Sequence, residues 1–439
     1  MKILLLLIVA VCSGQSVAST YCFWNNGCPY KYFSNKTPYN LVRGDIRDSL
    51  VKLPGCEPVS IWGLIRHGQR NPGIAFGNYM KDALVIKDYI VSSYERGNCS
   101  LCAQDVENLR KWQEHKQMFD KPYQLTKEGS LETEGIGQRL KQAFPKLLAN
   151  LGKNDYQFRS ADSTWMADSM KAFVDGLYDR PLTIQPPRTD FEIITPYETC
   201  KKYIDSKTSG KPYEESMKFL SSPEYLASKD RIQRRIGIDY PLTDTNITAL
   251  YDLCRYVSSG LTNKFSPWCA LFTSEDLKAM EYIADLRHYY RSAYGSPTNE
   301  LFGQITLTDL LKSFQDSKTG KGKKITAYVT HATMMDMVWC ALKLFKDDVP
   351  LTGAYRKPDR KWRSSKLAVF SANLIVVLNK CNKGPDDYNV VFYLNEEPLH
   401  SICNEGVCTW KEFEDKLSPF INTNTDFCGY VLVFLSVPF

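Results

Sequence analysis

The sequence predicts an α/β fold, in which a mainly parallel sheet is flanked by helices and an inserted subdomain is mostly helical. Short apolar, β-branched runs alternate with amphipathic segments near both ends of the chain, which is typical of a sheet covered on both faces. Between about 186 and 296 the sequence is aromatic and turn-rich, without a clear strand. We therefore predict a core built from 19–185 and 297–439, interrupted by a helical insertion at 186–296.

The first half of the core is predicted to contain two strands, each followed by a helix. The first strand lies in "PVSIWGLIRHG", and its apolar run leads through Gly68 into a turn before Pro72. The periodic apolar residues of "LTKEGSLETEGIGQRLKQAFPKLLANLG" predict a helix that ends near Gly152. The second strand lies in "DYQFRSADST", and the apolar residues from Met166 to Leu177 form the stripe of a second helix.

The second half of the core repeats this pattern. A third strand in "KKITAYVTHA" ends at His331 and precedes a helix in "TMMDMVWCALKLF". Two further strands are predicted in "KLAVFSANLIVVLNK" and "YNVVFYLNE". The charged run "SKTGKGKK" at 317–324 lacks the spacing of a phosphate-binding glycine loop, so we predict a solvated loop there.

The N-terminus, 1–18, has the form of a secretory signal, with Lys2, an apolar run and small residues up to Ala18. The apolar run, about 10 residues long, is too short to cross a bilayer. We therefore expect a protein that is secreted or held in the lumen of the secretory pathway, with paired cysteines. Of the 14 cysteines, Cys12 leaves with the signal and an odd number remain. Cys340, in a strongly apolar run, is the predicted free thiol.

Sequons predict N-glycosylation at Asn35, Asn98 and Asn246. Cys99 and Cys102 form a CxxC pair, but no second pair follows. The sequence therefore does not favour a zinc site.

The C-terminal stretch "CGYVLVFLSVPF" is apolar but too short to span a membrane. We predict a last core strand tied near Cys428. A lipid-anchor signal is the alternative, although its spacer and attachment residues are poorly formed, so membrane attachment is not expected. The formal net charge is +6, a mild excess that suits a small anionic substrate and falls short of a nucleic-acid-binding surface.

Basic side chains and two histidines follow the predicted strands. Arg66, His67 and Arg70 come directly after the first strand, Arg159 lies near the end of the second, and His331 ends the third. Ligands of open α/β sheets bind beyond the carboxyl ends of the strands. Two guanidiniums can hold a tetrahedral anion, and an imidazole between them can attack its phosphorus. These residues predict a phosphate site; an exposed basic turn is the alternative.

The stretch "RHGQRNP" resembles the signature of the histidine acid phosphatases, Arg-His-Gly-x-Arg-x-Pro, at every fixed position. "LTKEGSLETEGIGQRL", "FRSADSTWMADSMKAFVDGL" and "VTHA" are similar to further segments of that family. The region from "LFKDDVPLTG" to "VVLNKC" is similar to the multiple inositol polyphosphate phosphatases, and the whole resemblance extends from Pro58 to Leu417. It implies a histidine phosphatase-like fold and a phosphoric monoester hydrolase that acts on inositol polyphosphates through a phosphohistidine.

The resemblance implies a role for each matching residue. His67 would be the nucleophile, and Arg66 and Arg70 would hold the phosphoryl oxygens. His331 would stabilise the charge that develops on those oxygens, although a core histidine with satisfied hydrogen bonds is the alternative for it. Arg159 would bind phosphate only if its loop is rearranged relative to the family.

Two positions depart from the family. At the place of its proton-donating acid the chain has Thr333, whose hydroxyl is too weak an acid to protonate a leaving alkoxide. Asp336, on the following helix, is expected to point elsewhere. At the place of an arginine in the third segment the chain has Trp165. Loss of general acid catalysis typically costs ~10²–10⁴ in rate.

These departures leave two hypotheses. The first is a secreted phosphatase of inositol polyphosphates or similar esters, weakened by the two changes. The second is a catalytically inactive relative that binds a phosphorylated or other anionic ligand. No cofactor or metal is expected, because the cluster supplies its own positive charge. In the insertion, Arg231, Arg234 and Arg235 either reach further phosphates or form a solvated helix face.

Overall fold

A computed structural model describes residues 22, 32–114, 116–187, 193–257, 266–382, 384, 387–403 and 406–429. The predicted signal at 1–18 and the tail residues 430–439 lie outside this part of the chain. At the centre is a seven-stranded sheet, and its inner strands are buried at nearly every residue because helices cover both faces. This arrangement confirms the predicted α/β class.

The strands pair in parallel in one half of the sheet and antiparallel in the other. In chain order they are β1 (Cys56–Arg66), β2 (Tyr156–Ser160), β3 (Ile325–Thr330), β4 (Asn373–Cys381), β5 (Tyr388–Leu394), β6 (Glu397–Pro398) and β7 (Val407–Thr409). They lie in the order β2-β3-β1-β4-β5-β6, with β7 beside β5. β1 and β2 are parallel to β3, whereas every pairing of β4 and β5 is antiparallel. The prediction of a mainly parallel sheet is therefore wrong for the second half.

The antiparallel half has a simple physical cause. β4 and β5 are separated only by 382–387, which is enough for a hairpin, whereas a parallel pair needs a crossover of about a dozen or more residues. β4 also lies antiparallel along β1. A disulfide between Cys56 and Cys381 joins these two strands at the amino end of β1, opposite the end that carries the site.

The helices confirm those predicted after the first three strands, as α5, α7 and α14. In chain order they are α1 (Ile74–Ala83), α2 (Ile86–Glu95), α3 (Ala103–Lys111), α4 (Lys116–Asp120), α5 (Lys127–Ala143), α6 (Pro145–Leu148), α7 (Thr164–Leu177), α8 (Lys201–Thr208), α9 (Glu214–Phe219), α10 (Pro223–Ile236), α11 (Asp244–Val257), α12 (Ser274–Ser292), α13 (Thr298–Lys318), α14 (Ala332–Ala341), α15 (Ser364–Leu367) and α16 (Trp410–Leu417). α5 ends before the predicted Gly152, because Pro145 cannot continue it and begins α6 instead.

The described residues between 186 and 296 form helices α8–α12 and turns, without a strand, as predicted. The long helix α12 carries buried residues along its whole length. Its His288 lies 3.2 Å, Nδ1 to Oδ2, from Asp336 of α14, so this region packs directly on the core. The division of the chain into a core and an insertion stays a prediction.

Disulfide bonds tie distant parts of the chain together. Besides the β1–β4 bond they join Cys22 with Cys102, Cys200 with Cys428, Cys254 with Cys269, and Cys403 with Cys408. Cys340 is buried and free, as predicted, and Cys99 is a second free thiol. Cys428 is thus tied down as expected, while the strand predicted beyond it lies outside the described residues. Among the described helices, none has the length and apolar character to cross a membrane.

Candidate active site

The two predicted histidines meet at the carboxyl ends of β1 and β3. Because Arg66 pairs with Thr330 in register, His67 and His331 follow neighbouring strands at the same edge of the sheet. The backbone N–H of His67 donates to the Thr330 carbonyl at 3.0 Å, and the two imidazole centroids are 5.8 Å apart. Both line a cavity of 610 Å³.

His67 is held in the form that a nucleophile needs. It is only 2% exposed, and its Nδ1 lies 2.9 Å from the Gly68 carbonyl oxygen. A carbonyl only accepts, so Nδ1 donates and the lone pair of the ring is on Nε2. Burial, followed by the charges of Arg66 and Arg70, lowers the pKa of His67 well below its usual value. The ring is therefore neutral at neutral pH.

Arg66 and Arg70 flank this imidazole on the cavity wall. Arg66 donates through Nη1 to the carbonyl oxygens of Asn35 and, at 2.7 Å, Ala368. Arg70 donates to the Asn71 carbonyl at 2.8 Å. In both, the buried Nε has no partner among the described residues. Burial and the charge of Arg70 lower the pKa of Arg66 to about 9, which is the signature of cations that lack a facing anion.

Two glycines allow the turn after β1 to reach the first turn of α5. A Cβ on Gly68 would lie 2.3 Å from the Gly129 carbonyl oxygen, and one on Gly129 would lie 2.1 Å from the Gln69 oxygen. Thr126, the N-cap of α5, accepts from the Gly129 N–H and donates its own N–H to the Gln69 oxygen at 2.9 Å. The "LTKEG" segment thus supports the histidine turn from behind.

Trp165 occupies the place where the family resemblance implied an arginine. Its ring stacks on Tyr123 at 5.3 Å and lies 6.5 Å from His67 and 6.4 Å from His331. The Arg70 guanidinium sits over the same indole at 5.4 Å. An aromatic wall therefore replaces a fixed cation beside the histidines.

The prediction that Arg159 binds phosphate is wrong for this structure. Successive residues of a strand point to opposite faces, and on β2 this directs Arg159 to Gln185, to which its Nη2 donates at 2.5 Å. Arg159 does not line the cavity. Its prediction came from its place near the end of β2, which does not fix the face on which the side chain lies.

The three arginines singled out in the insertion do not line the cavity either. Arg231 pairs with Asp276 and Arg234 with Asp230, at 2.6 and 2.7 Å respectively. Arg235 donates to the Ala270 carbonyl at 2.8 Å.

A larger set of cavity residues was missed by sequence reasoning. The additional basic residues that line it are Lys36, Lys207, Arg255, Arg287, His288 and Arg291. They are dispersed over the segment before β1 and over α8, α11 and α12, so no spacing in the sequence reveals them. Burial and the nearby arginines lower the pKa of Lys36 well below its usual value. The cavity therefore gathers positive charge that an anion would relieve.

Asn35 lies in this cavity wall and is buried, so the prediction of a glycan there is wrong for the folded protein. Its backbone oxygen accepts from Arg66, and Thr37, which completes the sequon, is also buried. Asn98 is exposed and Asn246 half-buried. Glycosylation at these two positions stays a prediction.

The acids near the histidines differ in where they point. Thr333 lines the cavity at the position where an acid was expected. Asp336 is buried behind it and accepts from Ser292 at 2.8 Å, which confirms that it points elsewhere. Burial raises the pKa of Asp336 to about 8. Among the described residues that line the cavity, only Glu198 has a carboxylate side chain. Its Oε1 lies 3.4 Å from His331 Nε2.

Sequence and structure comparisons show which known proteins this chain resembles. The model of the histidine phosphatase superfamily (branch 2) matches residues 60–395. Multiple inositol polyphosphate phosphatase 1 of Drosophila melanogaster is 29% identical, with 98% of this chain and 93% of that protein covered. The protein of the same name from Homo sapiens is 24% identical, over 84% and 82% of the two chains.

Solved structures share the fold at low sequence identity. The phytase from D. castellii matches with a TM-score of 0.72 and 16% identity, covering 93% of this chain and 92% of that one. A Bifidobacterium longum multiple inositol polyphosphate phosphatase, in complex with inositol hexasulfate, matches with a TM-score of 0.62 and 15% identity, over 91% and 99% of the chains.

Proposed function

This chain belongs to the histidine phosphatase superfamily, branch 2, and is a phosphoric monoester hydrolase; from this premise we propose that it removes phosphate from inositol polyphosphates through a phosphohistidine on His67. The observation that carries the proposal is a neutral, buried imidazole beside two arginines, at the wall of a cationic cavity. The Nε atoms of both arginines have no partner among the described residues. No metal or cofactor enters the proposed reaction.

The proposed chemistry assigns one task to each central residue. His67 Nε2 attacks the phosphorus, because Nδ1 is engaged with Gly68 and Nε2 keeps its lone pair. Arg66 and Arg70 hold the phosphoryl oxygens through charge-assisted hydrogen bonds. His331, whose ring lies 5.8 Å from that of His67, stabilises the charge that grows on those oxygens in the transition state.

The substrate class is argued from the number and spread of the cavity's cations. A single phosphate can pair with the two arginines beside His67. Among the described residues, Lys36, Lys207, Arg287 and Arg291 of the cavity wall have no ion pair with a carboxylate, whereas Arg255 contacts Asp252 at 2.5 Å. A small ring carrying several phosphates uses them all, and the names of the relatives, phosphatases of inositol polyphosphates and phytases, support the same class.

The proposed division of labour follows the proposed domains. The core, 19–185 and 297–439, brings the reacting histidines, while the insertion at 186–296 brings most of the additional cations. In this view the insertion forms a cap over the cavity that selects the ester.

The disulfide bonds between distant segments suit an oxidising compartment. We infer that the signal at 1–18 directs the chain into the secretory pathway, with glycans at Asn98 and Asn246. Protein collected from the culture medium of expressing cells should start after Ala18 and lose mass on treatment with an N-glycosidase.

A second function, binding of a polyanion without turnover, is favoured by Thr333 and Trp165. The test is phosphate release from inositol hexakisphosphate and from p-nitrophenyl phosphate by wild type, His67→Ala and His400→Ala. His400 is an exposed histidine outside the cavity and serves as the matched control. We expect His67→Ala to lose at least about 10⁴ in rate and His400→Ala to match wild type. Binding of inositol hexakisphosphate without release by wild type would establish the second function instead.

A further inference from the structure

The proposed reaction needs a proton for the leaving alkoxide, and Thr333 cannot provide it. An inositol alkoxide is a poor leaving group, so its departure depends on a general acid. The inference below rests on the proposed function.

Glu198 is the acid that lies in the right place. Among the described residues that line the cavity, Glu198 is the only one with a carboxylate side chain. This side chain is 39% exposed, so a bound ester can reach it. Its Oε1 is 3.4 Å from His331 Nε2, and the His331 ring is 5.8 Å from that of His67. The carboxyl group thus lies beside His331, next to the space where a phosphoryl group on His67 would bind.

The turn that carries Glu198 is fixed from several sides. The Glu198 N–H donates to the Thr195 carbonyl at 3.0 Å. The hydroxyl of Thr330, the residue before His331, donates to the Ile194 carbonyl at 2.7 Å. Two residues after Glu198, Cys200 is bonded to Cys428. The same strand end therefore positions His331 and the turn of Glu198, as a preorganised acid requires.

Other buried acids near the histidines are already engaged. Asp336 contacts Ser292 and His288 and does not line the cavity. Glu132 accepts from the Tyr39 N–H at 3.2 Å and from Ser371 at 3.3 Å. Neither of them faces the space between His67 and His331.

We propose that Glu198 is the catalytic proton donor of this enzyme, taking the task that Thr333 cannot perform. As the P–N bond to His67 Nε2 forms, the ester P–O bond breaks and its electron pair stays on the alkoxide oxygen. That oxygen takes the proton of the Glu198 carboxyl, and the alcohol leaves. Water then attacks the phosphohistidine and gives its proton to the Glu198 carboxylate, and phosphate leaves as the P–N electron pair returns to Nε2.

The test compares Glu198→Gln with wild type on two esters whose leaving groups differ. The amide keeps the size of the side chain but cannot give up a proton. We expect hydrolysis of inositol hexakisphosphate to fall by ~10²–10⁴, while p-nitrophenyl phosphate, whose leaving group needs no proton, loses less than about tenfold. Glu214→Gln, an exposed carboxylate outside the cavity, is the control and should match wild type on both.

A rescue variant separates catalysis from structure. Thr333→Glu in the Glu198→Gln background places a carboxyl at another lining position of the same cavity and should restore at least about a tenth of the inositol ester rate. Equal losses on both esters, or no loss on either, would overturn the role of Glu198. Failure of wild type to cleave either ester would instead overturn the proposed function and the acid role of Glu198 with it. The activity of wild type therefore distinguishes the two failures.

Discussion

The cavity is lined by two regions that differ in how their residues are placed. The ends of two adjacent strands supply Arg66, His67, Arg70 and His331. Residues between 186 and 296 supply Glu198 from a turn and several cations from helices. The strand ends fix the proposed nucleophile and its arginines, and the turn of Glu198 is held against one of these strand ends. The cations on the helices are less restricted in their register, and we expect them to determine which ester binds.

Substitutions in the two regions should also have different kinetic effects. Damage to the strand-end region should lower the turnover number on every ester. Damage to the cations of 186–296 should raise KM for polyanions and leave KM for simple esters almost unchanged.

Among changes that leave the reacting side chains in place, the largest effect is expected for Gly68→Ala. The new Cβ would lie 2.3 Å from the Gly129 oxygen, so the turn that holds His67 must shift by about 1 Å, and such a misplacement costs on the order of a hundredfold in rate. We expect kcat to fall by that factor on both inositol hexakisphosphate and p-nitrophenyl phosphate.

Gly77→Ala is the control for this change. Its Cβ would meet Phe119 at 3.6 Å, an ordinary contact, so activity should be retained. The two variants are compared below the unfolding temperature of each, measured by calorimetry. Wild-type turnover in Gly68→Ala would show that the turn after β1 tolerates displacement and that the strand end does not fix the nucleophile.

A smaller and more selective effect is expected for Arg287→Ala in the insertion. Arg287 lines the cavity on α12, and burial followed by the charge of Arg255 lowers its pKa, as for a cation without a facing anion. Loss of one charged hydrogen bond is worth roughly 1.5–3 kcal/mol, so KM for inositol hexakisphosphate should rise at least about tenfold. KM for p-nitrophenyl phosphate should change by less than about twofold.

Arg234→Ala provides the matched control, since Arg234 is exposed, pairs with Asp230 and does not line the cavity. Steady-state kinetics on both esters decide the outcome. A fall in kcat on p-nitrophenyl phosphate in Arg287→Ala would show that Arg287 acts on the reacting phosphoryl group. It would contradict the expectation that residues of 186–296 such as Arg287 affect only the binding of polyanions.

The smallest effect concerns pH. An ordinary histidine, with a pKa of 6.5, loses its lone pair as pH falls through that value. The pKa of His67 is lowered well below 6.5 by burial and by Arg66 and Arg70, so the nucleophile stays neutral at lower pH. The acid limb of kcat/KM for p-nitrophenyl phosphate, corrected for titration of the ester, should therefore lie below pH 6.5. A limb centred at or above 6.5 would contradict the burial argument.

Much of the strand-end region is readable from the sequence. Arg66, His67 and Arg70 are close in the chain, and a buried run before a turn is enough to locate them at a strand end. His331 follows from the same pattern. The match to family segments then supplies the chemistry that the residues alone leave open.

The rest of the site depends on packing that the sequence does not express. Glu198 reaches His331 from a turn that is held by Thr330 and by a disulfide, two contacts between segments far apart in the sequence. The sequence does not show that Arg159 points away from the cavity, because a place near a strand end does not determine on which face of the sheet a side chain lies. Asn35 carries a sequon, yet its segment folds into the cavity wall.

The same limit applies to the sheet. Alternating helices and strands predict a mainly parallel sheet. The second half is antiparallel because the short connection from Cys381 to Tyr388 forms a hairpin.

The central claim, that His67 is the nucleophile, is tested most directly by trapping the covalent intermediate. Wild type and Glu198→Gln are mixed with p-nitrophenyl phosphate, quenched in alkali, where phosphohistidine is stable, and digested for mass spectrometry. The account predicts phosphate on the peptide that contains His67, lost on brief acid treatment and absent from His67→Ala. Phosphate release by wild type with no such peptide, or with the phosphate on another residue, would contradict it.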